Sequence, residues 1–126
     1  MTPEDFIECV VQSMQDLTAL YAQGHDGGTY LGANLDSIGL NALQRQYVLA
    51  LIRLSVGEAT HCLLSGIEGQ VRMGTRQQVY KLLDENGLEL TGGLSDLLYI
   101  KLEEEGVLET SLLSRQYRSD ELPHED

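Results

Sequence analysis

The chain has 126 residues, enough for one hydrophobic core, and its aromatic content is a single Phe and six Tyr with no Trp, so that core must be mainly aliphatic. Its net charge of −12 weighs against nucleic acid, whose phosphates select basic surfaces. The longest apolar run, Val48 to Ile52, ends at Arg53, short of the ~20 residues of a membrane span, and Glu4, Asp5 and Glu8 stand where an export signal carries basic residues.

These features predict a soluble cytoplasmic protein with no membrane partner. Cys9 and Cys62 do not make a disulfide framework and read as reduced, buried thiols. The charge is also patterned along the chain. Residues 1–40 carry −6 with no Lys or Arg, 41–83 carry +3, 84–109 carry −7 and 110–126 carry −2.

Thr2-Pro3-Glu4-Asp5 supplies an N-cap, a proline at the first helical position, an acidic first turn and a capping-box acid. Phe6, Ile7, Val10, Val11, Met14, Leu17 and Tyr21 follow at helical spacing, opposite Asp5, Glu8, Gln12 and Asp16, so an amphipathic helix is predicted over 3–23. Five glycines then fall within residues 24–39, around a short strand expected at Thr29-Tyr30-Leu31. Neither phosphate-loop nor dinucleotide spacing is present, and the segment reads as an ordered loop.

Asn41-Ala42-Leu43-Gln44 forms the next capping box, opening a helix over 41–66. Leu43, Tyr47, Val48, Leu51, Ile52, Leu54, Val56, Ala59, Cys62 and Leu63 spread over more than half of its circumference. Such a helix is expected at the centre of the fold or across a homodimer interface. In the central position Leu51 would be buried, and Leu51→Asp would unfold the protein.

Thr75-Arg76-Gln77-Gln78 predicts a third helix over 75–86, with a hairpin turning through Asn86-Gly87 as the alternative for 79–90. Leu94, Ser95 and Tyr99 fit as staple, N-cap and staple partner of a fourth helix over 95–105. Val107–Tyr117 reads as a strand or irregular packing, and 119–126 as a flexible acidic tail beyond a single domain of 1–118. The fold class is therefore mainly α, about four helices around one core, with a minor β-hairpin or C-terminal strand as the open element.

Glu58 and His61 have the Glu-x-x-His spacing of di-metal carboxylate bundles, but the partner helices lack matching ligands, so the pair reads as structural and no metal or cofactor is predicted. His61 and Cys62 project about 100° apart on a helix, too far for a thiolate–imidazole dyad. His25 and Asp26, with Tyr30 nearby, are the general-base candidate in the glycine loop.

Residues 75–109, ending in Leu102-Glu103-Glu104-Glu105-Gly106, resemble the second half of winged-helix regulators. The resemblance implies a recognition helix over 95–105, yet Lys101 is its only cation. Glu103, Glu104 and Glu105 oppose the dipole of their own helix, a cost of a few tenths of a kcal/mol each. They read as a docking patch for a basic protein. The function expected is non-catalytic protein–protein binding that neutralises or regulates a basic partner. The alternative is a small enzyme or ligand-binding domain using loop 24–39 or the Glu58/His61 pair.

Overall fold

The computed structural model describes residues 1–108, and within them the protein is mainly helical, with four α-helices and no strand. They are α1 (Pro3–Ala22), α2 (Tyr30–Ile38), α3 (Ala42–Ile67) and α4 (Leu94–Glu104), with a 3-10 turn (Gly24–Gly27) between α1 and α2. The readings placed on 109–126 lie outside the described residues.

The capping boxes predicted for α1 and α3 form, and the one predicted at Thr75–Gln78 does not. Asp5 donates its N–H to Thr2 Oγ1 at 3.1 Å, and Thr2 returns its own to the Asp5 carboxylate at 3.2 Å. Asn41 and Gln44 repeat the exchange at the start of α3, at 2.8 and 3.1 Å. The core gathers Ile7 and Val11 of α1, Leu64 of α3, and Leu94, Leu98 and Leu102 of α4, closed by Leu90. It is aliphatic, as the composition requires, and lies among the N-terminal half of α1, the C-terminal half of α3 and α4.

Three expectations are corrected. The short strand at residues 29–31 is instead a helix start: Thr29 Oγ1 accepts the Gly32 N–H at 2.9 Å and caps α2. Residues 75–86 are not helical. The Asp84 carboxylate accepts the N–H groups of Asn86 and Leu88, both at 2.9 Å, and Leu83 bridges Glu89, so the chain turns back at Asn86-Gly87 as in the hairpin alternative, with one isolated bridge and no strands. Val79 in this segment is 68% exposed, so the helical pattern had no core to bury it against.

The third correction concerns α3. It packs on α1 and α4, yet its buried residues are only Tyr47, Gly57, Leu64, Ser65 and Gly66. Leu51 is 52% exposed and Leu63 51%, so α3 is not enclosed and Leu51 is not a core residue. By length and composition alone α3 would also suffice to cross a membrane. Gly57 faces α4 and the residues after it at close range, since a Cβ there would stand 3.2 Å from Val107 Cγ1 and 3.4 Å from the Leu102 methyls.

Candidate functional site

The fourth helix begins without a capping side chain of its own, because Gly93 occupies the N-cap and Ser95 lies inside the first turn. Glu68, just beyond the end of α3, supplies the acceptor. Its Oε2 receives the N–H groups of Gly92, Gly93 and Leu94 at 2.6, 2.8 and 2.8 Å, and its Oε1 that of Ser95 at 2.9 Å. Burial pushes the Glu68 carboxyl upward, but the four N–H donors outweigh it and hold the group below its usual range. The orphan donors of a helix start are thus satisfied from another element, and that terminus is closed to an external anion.

So anchored, α4 turns Leu94, Ser95, Leu98 and Leu102 into the core, none more than 1% exposed. The staple expected between Leu94 and Tyr99 does not form a lid over the start, since Tyr99 is half-exposed on the opposite side. Asp96, Tyr99, Ile100, Glu103 and Glu104 make that outer face, at the three- and four-residue spacings of one helix side. Tyr99 is 49% and Ile100 51% exposed, and a shallow 270 Å³ depression is lined by Ile100, Glu103 and Glu104.

The helix ends through Gly106, which adopts φ +72° and donates to the Glu103 carbonyl at 3.1 Å while Val107 donates to that of Leu102 at 2.9 Å. Arg53 reaches the Glu105 carbonyl at 3.4 Å, placing a cation at the negative end of the helix. These contacts offset the unfavourable placement of three acids there. Lys101 lies 3.7 Å from Glu104, and Gln15 donates to the Glu105 carboxylate at 3.2 Å, leaving the Glu103 carboxylate with no hydrogen bond or ion pair among the described residues.

The enzyme or ligand-site candidates are spread out. His25 and Asp26 are exposed on the 3-10 turn, and Tyr30 is 93% exposed at the start of α2. His25 engages through its backbone: its carbonyl accepts the Gly28 N–H at 3.2 Å and its own N–H donates to Asp36 at 2.7 Å. That N–H and then Arg45, 2.8 Å away, hold the Asp36 carboxyl below its usual range. Glu58 and His61 share no hydrogen bond; Glu58 faces solvent and the His61 ring meets Tyr99 edge-on at 6.1 Å between centroids.

Cys9 and Cys62 are free and exposed, which corrects the reading of buried thiols. None of the five candidate residues lines the depression beside Ile100 or the grooves flanking α1 and α3. Among the described residues no group of three or more His, Cys, Asp or Glu is placed to hold a metal. No family model, curated protein or solved structure matches this chain.

Proposed function

We propose that this protein acts non-catalytically in the cytoplasm, by binding a basic protein through the outer face of α4. The observation that carries the reading is an exposed aromatic–aliphatic pair, Tyr99 and Ile100, set among Asp96, Glu103 and Glu104 on one helix side. Aromatic and aliphatic anchors within a charged rim are the arrangement that lets a partner bury apolar surface while complementary charge orients it. The rigid attachment of α4, through Glu68 at one end and Gly106 at the other, presents this face with little ordering cost.

The partner implied has a small apolar recess surrounded by Lys and Arg, and binding would neutralise or occlude that basic surface. The test is capture from an extract of the source cells at low and at physiological salt, with the wild type and with Tyr99→Ser and Ile100→Ser variants. Both side chains are half-exposed, so the variants keep the fold. A basic protein retained by the wild type and lost from both variants is the expected result; a partner indifferent to both contradicts the assignment of this face.

A further inference from the structure

An arc of α3, about 100° wide by helical projection, looks away from α1 and α4 and holds Gln44, Val48, Leu51, Ile52, Ser55, Ala59 and Cys62, ending at Gly66, which is buried beneath Met73. It contains no charged residue in a chain of net charge −12. Leu51, Ser55, Ala59 and Cys62 are exposed on it, and Glu58 stands at its rim. We propose that this arc pairs with the same arc of a second copy of the chain, the two helices running antiparallel across a two-fold axis near Ser55.

Shape sets the direction. The bulky members Val48, Leu51 and Ile52 occupy the N-terminal half of the arc, and Ser55, Ala59 and Cys62 the C-terminal half. A parallel pair would set bulk on bulk and leave space between the small residues. The antiparallel pair opposes Val48 to Cys62 and Leu51 to Ala59, so these two large side chains meet small ones, while Ile52 falls opposite Glu58 at the rim.

Charge selects the same direction and the same occupant. The C-terminal end of α3 leads into residues 70–81, which contain Arg72, Arg76 and Lys81 and no acid. Met73 packs over Gly66 and so holds Arg72 and Arg76 beside the arc. Neither arginine has an ion-pair partner among the described residues. The N-terminal end of α3 is tied by Arg45 to Asp36 of α2, 2.8 Å away, and to the Ala22 carbonyl at the end of α1 at 3.1 Å, and Asp26 in the 3-10 turn that follows has no ion pair among the described residues. Antiparallel pairing sets each basic segment against the acidic end of the other copy, whereas a parallel pair stacks like charge on like. The surplus acids of α1 and α4 lie outside the contact.

Sedimentation of the full chain across concentration and ionic strength tests the pairing. The wild type is expected to dimerise, more weakly at high salt, and Leu51→Glu to weaken association roughly a hundredfold by burying an unpaired carboxylate. Circular dichroism checks that this variant remains folded. A disulfide test reads the direction: Val48→Cys is combined with Cys9→Ser and exposed to oxidised glutathione, so that the introduced thiol and the native Cys62 are the only two in the chain.

Residues 48 and 62 of one helix lie ~21 Å apart, so they cannot join within a chain. A covalent dimer from that protein, with none from Cys9→Ser alone, is the result expected. Cross-linking through Cys62 alone would overturn the antiparallel direction. A concentration-independent monomer, a dimer indifferent to Leu51→Glu, or an arc that instead carries the chain onto phosphatidylcholine vesicles would each overturn the pairing.

Discussion

Glu68 has the greatest reach of any single side chain in the described residues, because one carboxylate ties the end of α3 to the first turn of α4 through four backbone N–H groups. Glu68→Ala leaves those donors uncapped and should cost about 1–2 kcal/mol, measurable by urea melting at neutral pH. The group also gives stability a pH dependence of definite sign. Its folded-state value lies below the unfolded one, so the folded chain binds fewer protons near and below the ordinary Glu value of about 4.3. The contribution is complete above that value and is lost as pH falls through the depressed one. Glu68→Gln should therefore flatten the loss of stability between neutral and acidic pH; a variant that loses stability with the same slope as the wild type would show that other carboxylates set it.

Among the elements, α1 and the start of α3 were legible because their capping residues adjoin their apolar stripes, and the structure forms both boxes. The fourth helix was legible over 95–105 and forms over Leu94–Glu104, but its cap was not: Ser95 lies inside the first turn, and the acceptor comes from 24 to 27 residues away, where no local pattern points to it. Thr29 was visible as a polar residue after glycines, but α2 has only nine residues and buries only Leu35 and Gly32, too little to print a periodicity. Apolar spacing over 79–83 suggested a helix, and Asp84 took the next backbone donors for a turn instead. In α3 the arc was read correctly as residues and wrongly as core, since spacing cannot tell a face covered within the chain from one left outside. Leu51→Glu should accordingly melt cooperatively, within about 0.5 kcal/mol of the dilute wild type, as a surface change does. Gly57→Leu should instead cost about 1–3 kcal/mol in thermal melting, because its side chain would intrude on Leu102 and Val107, while Gly57→Ala gains back helix propensity against a tight methyl contact.

For the whole molecule, the sequence showed where the acids are but not that Tyr99 and Ile100 stand exposed among them, which depends on α4 turning Leu94, Leu98 and Leu102 inward. Two helices each carry a surface of their own: an acidic one on α4, proposed for a basic partner, and an uncharged one on α3, proposed for a second copy. Charge at −12 acts at long range before any contact forms, so the acidic face should govern the rate of encounter more than the lifetime of the complex. Replacing Glu103, Glu104 and Glu105 together by Gln removes three exposed charges and eases their conflict with the helix dipole, so the fold should be kept or slightly strengthened. The most direct test of the account is the association rate of the triple variant with its basic partner, measured by stopped flow from low to physiological salt, where the screening length falls to about 8 Å. Recognition through these acids predicts a slower rate at low salt and a shallower salt dependence than the wild type; an unchanged rate with an unchanged slope would show that these acids are a solvated face with no part in recognition.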